Sequence, residues 1–131
     1  EGSVSMRVLI ADDDALVRRT LSTALARVGF DVCTSPDGDA AIRLAEIAPP
    51  DIALVDMNMP MGGPELVARL KALHGSNVWV AVLSGDDLEL IAPECLQAGA
   101  DDVIMKPISP SELRRRLAAA APAGKKLPVA S

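Results

Sequence analysis

The chain of 131 residues has no tyrosine, one tryptophan, one phenylalanine and one histidine. Rings cannot fill its core, so aliphatic side chains and alanine must. Half the residues are apolar, enough for a chain this size to bury roughly two thirds of its unfolded surface. Cysteine is scarce too: Cys33 and Cys95, 62 positions apart, make neither a metal motif nor a disulfide framework. Basic charge is in deficit, with 13 Lys and Arg against 18 Asp and Glu. A net charge of −5 argues against a surface that neutralises nucleic-acid phosphates. No apolar run approaches the ~18 residues of a membrane span, and Glu1 to Met6 lacks the basic-then-apolar layout of a secretion signal. The expectation is one cytoplasmic domain, with no membrane and no direct nucleic-acid contact.

What is present is a regular alternation. Five short apolar runs, Arg7–Ala11, Phe30–Thr34, Ile52–Val55, Val78–Leu83 and Val103–Met105, read as strands buried on both faces. Between and after them run helical stripes: Leu16, Val17, Leu21, Ala24, Leu25 and Val28; then Ala41, Leu44, Ala45 and Ala48. Leu66, Val67, Leu70 and Leu73 make the third stripe, Leu88, Ile91, Cys95 and Leu96 the fourth, and Leu113, Leu117 and Ala120 the last. Ser109-Pro110-Ser111-Glu112 reads as a capping box, Pro64 marks the third helix start, and Gly29, Gly75 and Gly99 sit where helices should stop. Strand then helix, five times over, predicts an α/β fold with a parallel sheet covered on both faces. The expected domain spans residues 6–121. Residues 1–5 read as a disordered extension or cloning remnant, and 122–131 as a tail or the start of a linker.

Polar residues gather where strands end. The first strand runs into Asp12-Asp13-Asp14, the third into Asp56, the fourth into Ser84 and the fifth into Lys106-Pro107. In an open parallel sheet these ends share one edge, where ligands bind beside the topological switch point. Singly, each has a plain explanation: Asp14 as a helix cap, Ser84 in a turn, Lys106 as a surface charge. Together they deliver carboxylates, a hydroxyl and an ammonium to one rim. Asp12, Asp13 and Asp56 would repel one another unless one is protonated or a cation binds. Hard oxygen ligands in a small cluster favour Mg²⁺. A carboxylate is also a nucleophile toward phosphorus, and positive charge from Mg²⁺ and Lys106 would let it accept an anionic group. The chemistry implied is phosphoryl transfer to a carboxylate.

Four segments carry a family resemblance: Val8-Leu9-Ile10-Ala11-Asp12-Asp13-Asp14; Pro50-Asp51-Ile52-Ala53-Leu54-Val55-Asp56-Met57-Asn58-Met59-Pro60; Val82-Leu83-Ser84-Gly85; and Gly99-Ala100-Asp101-Asp102-Val103-Ile104-Met105-Lys106-Pro107. In order, spacing and strand context the chain resembles the receiver domain of two-component response regulators, from about Met6 to Ala121. The resemblance implies a doubly wound, flavodoxin-like five-stranded parallel sheet of order 2-1-3-4-5 with five flanking helices. It implies Asp56 as phosphoacceptor, Asp13 as direct Mg²⁺ ligand, Asp12 acting through water, and Asn58 offering its backbone carbonyl. Ser84 matches the switch hydroxyl and Lys106 the phosphoryl counter-ion, with Lys106–Pro107 a candidate cis peptide. Asn58 and Asp86 match positions flanking the path of the attacking water, and both are small enough to leave it open. The implied partners are a cognate histidine kinase or phosphotransfer protein and an unknown downstream output domain or protein. A homodimer through the fourth helix, fifth strand and fifth helix is also implied. Activity is then phosphoacceptor signalling, with Mg²⁺-dependent self-phosphorylation and autodephosphorylation but no turnover enzyme. The exposed side of the first helix, near Ala15, Arg18, Arg19 and Ser22, is the expected kinase-docking surface.

Two positions depart from the family. Val103 stands where an aromatic is usual, so switching is expected to run through Ser84 and Gly85-Asp86-Asp87 into the fourth helix. The loop Met61-Gly62-Gly63-Pro64 is one residue shorter than the common form. A haloacid-dehalogenase-like phosphatase also uses an Asp nucleophile, Mg²⁺ and a Lys, but has a second acid where this chain has Asn58. A flavin-binding relative lacks its aromatic pair here, and a pseudo-receiver would not fill all five acceptor-site positions. Cys33 and Cys95 are expected on opposite sides of the sheet, too far apart to bridge. His74 is expected to end the third helix, and Arg114, Arg115 and Arg116 to form a solvated face.

Overall fold

A computed structural model describes residues 5–120. The chain runs β1 (Arg7–Ala11), α1 (Ala15–Arg27), β2 (Asp31–Ser35), α2 (Gly38–Ile47), β3 (Ile52–Asp56) and α3 (Gly63–His74). It continues through a 3₁₀ turn (Gly75–Asn77), β4 (Trp79–Ser84), α4 (Leu88–Ala98), β5 (Asp102–Met105), α5 (Pro110–Leu117) and a last 3₁₀ turn (Ala118–Ala120). The sheet is parallel throughout, in the order β2-β1-β3-β4-β5. That is the doubly wound α/β architecture expected, and each strand lies within a residue of its predicted start. The expected extension and tail fall almost wholly on residues 1–4 and 121–131, outside the described residues.

Successive strand side chains point to opposite faces, so each central strand feeds two cores. Leu9, Ala11, Ala53, Val55, Val80 and Val82 face Ala41, Ala45, Leu66, Val67, Leu70 and Cys95 of α2, α3 and α4. Val8, Ile10, Ile52, Leu54, Ala81 and Leu83 face Leu21 and Leu25 of α1 and Leu113 and Leu117 of α5. Four helices open on a side-chain cap: Asp14 accepts from Leu16, Asp37 from Ala40, Asp87 from Glu89 and Ser109 from Glu112. Each such cap contributes about 1 kcal/mol. Gly29, Gly75 and Gly99 all have positive φ, as stops should.

The helical stripes prove narrower than their periodicity predicts. Leu16, Leu73 and Leu96 are 68%, 40% and 52% exposed. A period of 3.6 identifies a face but not how far the sheet beneath it extends. In α4 only Cys95 is fully buried, and Pro93 lies inside the helix, where it has no N–H to donate. The capping box is half formed: Ser109 accepts from Glu112, but the Glu112 carboxylate turns to Arg115 and Arg116. Arg116 also reaches Asp102 at 2.7 Å, so the arginine run is not wholly solvated. Cys33 and Cys95 are free, as expected, but they pack against the same face of the sheet, near its opposite edges. His74 does end α3, where its Nε2 donates to the Ala45 carbonyl at 2.9 Å.

Candidate functional site

The sheet reverses winding between β1 and β3, and both strands end in acid. Asp12 leaves β1 fully buried, its N–H donating to the Ser35 carbonyl and its Oδ1 accepting from Asp14 N–H at 2.9 Å. Its buried Oδ2 is paired with the Lys106 ammonium at 2.8 Å. Asp56 ends β3 at 5% exposure, and its Oδ1 accepts from Asn58 N–H at 3.3 Å and from Lys106 Nζ at 3.2 Å. Asp13 is exposed, and one oxygen each from Asp12, Asp13 and Asp56 lie within 4.8 Å of one another. The structure thus brings together the acids that the strand ends predict.

Lys106 reaches them because β5 ends beside β4: its N–H donates to the Ser84 carbonyl at 2.8 Å, and the Lys106–Pro107 peptide is cis. Burial by itself would lower the Lys106 pKa. Hydrogen bonding and charge from Asp12, then the charge and hydrogen bond of Asp56, outweigh it and raise the pKa above the usual lysine value. The ammonium is therefore a fixed cation at neutral pH. Ser84, fully buried at the end of β4, accepts from Asp86 N–H at 2.9 Å. Val103, half-buried in β5, pairs with Val82 and packs on the α3–α4 side of the sheet.

Four contacts escape sequence reading. Asn58 Nδ2 donates to Asp86 Oδ2 at 2.8 Å, so the two side chains expected to flank the path independently are joined to each other. The Cys95 thiol lies 3.7 Å from the Met57 thioether, tying α4 to the residue after Asp56. Gly38 begins α2 against the short loop: its N–H donates to the Pro60 carbonyl, and a Cβ there would overlap the Met61 carbonyl. That loop takes left-handed backbone at Met61 and Gly63, with φ of 53° and 54°. Finally, Arg18 is not a free docking residue, because its Nη1 donates to the Asp12 carbonyl at 2.7 Å. No sequence signal distinguishes it from Arg19, which lies beside it on α1.

The rim also fits a divalent cation. Three hard carboxylate oxygens converge, one belongs to an exposed residue open to solvent, and the single Lys106 ammonium beside Asp12 Oδ2 and Asp56 Oδ1 leaves the three acids short of positive charge. Soft sulfur ligands are absent from that set, which favours Mg²⁺ over thiophilic metals.

The family model described as "Response regulator receiver domain" matches residues 8–118. Transcriptional regulatory protein PrrA of Mycobacterium tuberculosis is 40% identical over 119 residues, covering 90% of this chain and 51% of that protein. A cyclic di-GMP phosphodiesterase of Thermotoga maritima is 39% identical over 113 residues, 86% of this chain but 30% of its own length. The chain thus spans about half of the first relative and under a third of the second. Among solved structures, chemotaxis protein CheY4 of Vibrio cholerae superposes with a TM-score of 0.85 at 28% identity, covering 89% of this chain and 99% of that one. None of these supports the phosphatase alternative. Family match, relatives, strand order and the acid-lined rim agree: the chain belongs to the receiver domain family of two-component response regulators.

Proposed function

We propose that Asp56 is the phosphoacceptor of this receiver domain and that transfer to it requires Mg²⁺. The observation that carries this reading is the Asp56 carboxylate itself. It is nearly buried, 3.2 Å from a lysine ammonium, and within 4.8 Å of two further acids at the sheet's carboxyl edge. A Mg²⁺ ion held by Asp13 and Asp56 directly, by Asp12 through water and by the Asn58 carbonyl would supply the positive charge that lets anionic phosphate approach. The Asp56 oxygen bonds to phosphorus as the bond from phosphorus to the donor's imidazole nitrogen breaks, and that nitrogen keeps the electron pair. Lys106, held protonated by its acids, balances the negative charge on the phosphoryl oxygens. Ser84 accepts from Asp86 N–H and retains its own proton to donate to a phosphoryl oxygen.

The same site explains loss of the group. Water bonds to phosphorus, the bond to Asp56 breaks, and inorganic phosphate and carboxylate result. The Asn58–Asp86 pair borders the approach, and its small side chains favour a lifetime of seconds to minutes. The donor is a histidine kinase or phosphotransfer protein, and the output is a partner or domain that reads the switched surface. The exposed Leu90 and Met105, 79% and 50% accessible, support a homodimer through α4, β5 and α5. Among the described residues no helix is long and apolar enough to cross a membrane, which is consistent with a cytoplasmic setting.

The test is incubation with acetyl phosphate and Mg²⁺, followed by intact mass. One added phosphate is expected, and none with EDTA or in Asp56→Asn. Undiminished labelling of Asp56→Asn would refute the assignment.

A further inference from the structure

We infer that Arg18 is a positioning residue for the cation site, acting through the Asp12 carbonyl. The inference rests on the Mg²⁺ reading above. At Asp12 the chain leaves β1, and the ladder no longer supplies a partner for its carbonyl. A side chain from one turn into α1 does so instead: Arg18 Nη1 donates at 2.7 Å, a charge-assisted bond at the short end of its range.

The bond matters because of what else holds this loop. The Asp12 N–H is tied to Ser35, Asp14 N–H to Asp12 Oδ1, and Leu16 N–H to Asp14 Oδ1. The carbonyl bond to Arg18 fixes the peptide plane between Asp12 and Asp13. Turning that plane would swing Asp13, the exposed acid of the three, relative to the buried carboxylates of Asp12 and Asp56. Arg18 itself is half-buried, with its guanidinium tied to the Asp12 carbonyl.

Charge and geometry predict opposite signs. A cation beside an acid cluster opposes Mg²⁺ binding, so if Arg18 acted by charge, removing it would tighten the site. If it acts by ordering the loop, removing it weakens the site by the worth of a charge-assisted bond.

The experiment is calorimetric titration with Mg²⁺ alone, on wild type, Arg18→Met and Arg18→Lys, with urea unfolding in EDTA to establish that each is folded. Arg18→Met is expected to raise the Mg²⁺ Kd by about three- to tenfold. Arg18→Lys, with the same charge and a shorter donor, should recover part of the loss, and amide signals of Asp13 and Asp14 should shift in the metal-free Met variant. Unchanged or tighter binding by Arg18→Met overturns the inference. If Arg18→Met does not fold, Arg18→Lys decides: a raised Kd supports the inference, and an equal or lower one overturns it. Wild type that binds no Mg²⁺ would instead refute the cation reading beneath it.

Discussion

Removing the charge of Asp56 should stabilise the metal-free protein, although it disables the site. Asp12 and Asp56 are both buried, with oxygens within 4.8 Å of each other. At an effective dielectric of about 20, like charges at that separation repel by roughly 3.5 kcal/mol. Exposed Asp13 adds roughly 1 kcal/mol at a water-like dielectric. Against this, the 3.2 Å contact with Lys106 attracts by roughly 5 kcal/mol at the same dielectric of about 20. The Coulomb terms nearly cancel, so desolvation decides the sign. A carboxylate held at 5% exposure has lost several kcal/mol of hydration, and an amide of the same shape loses less. Asp56→Asn is expected to gain about 1–2 kcal/mol in EDTA, about 4–8 °C in melting temperature. With Mg²⁺ at ten times its Kd, wild type gains about 1.4 kcal/mol by linkage, and the variant, short of one anionic ligand, less than half of that. Thermal melts of both proteins with EDTA and with Mg²⁺ read all four numbers. A variant less stable than wild type in EDTA, or one with an undiminished Mg²⁺ increment, would refute the reasoning.

The raised pKa of Lys106 gives a signed pH dependence. Its contribution is complete below the ordinary lysine value of 10.5 and is lost as pH rises through the elevated one, so wild type should lose more urea stability than Lys106→Met between pH 9 and pH 12. Asn58 and Asp86 should act on dephosphorylation as a unit. Asn58→Ala and Asp86→Ala are expected to change the decay rate in the same direction, with the double variant well short of additive; additive effects would mean that their 2.8 Å bond has no role. Because α4 buries one residue fully and contains Pro93, its amides should exchange faster than those of α3. Beryllofluoride should perturb Ser84 to about Leu90 strongly and Val103 weakly, an effect that Ser84→Ala should largely abolish in α4. A silent α4 with large side-chain movement at Val103 would reverse the proposed route.

Much of this protein is legible locally. Strand and helix alternate with distinct periods, so the strand at Arg7–Ala11, the apolar run Ile52–Val55 of β3 and the buried stripes Leu66-Val67-Leu70 and Leu113-Leu117-Ala120 follow from a reading of hydropathy. The convergence of Asp12, Asp13, Asp56, Ser84 and Lys106 is legible for a different reason: parallel strands leave all their carboxyl ends on one edge. Fine burial is less so. Leu16 belongs to the stripe by period but sits at the rim, lining a groove with Lys106, Pro107 and Ile108, where the sheet no longer covers it.

Tertiary structure alone decided the contacts that shape the site: Asn58 with Asp86, Cys95 with Met57, Gly38 against Met61, and Arg18 on the Asp12 carbonyl. The first three join residues 23 or more positions apart, and the fourth depends on which way one arginine turns. Periodicity specifies the face a residue occupies. Whether two side chains on that edge meet depends on strand register, loop length and rotamer, which packing of the whole chain selects.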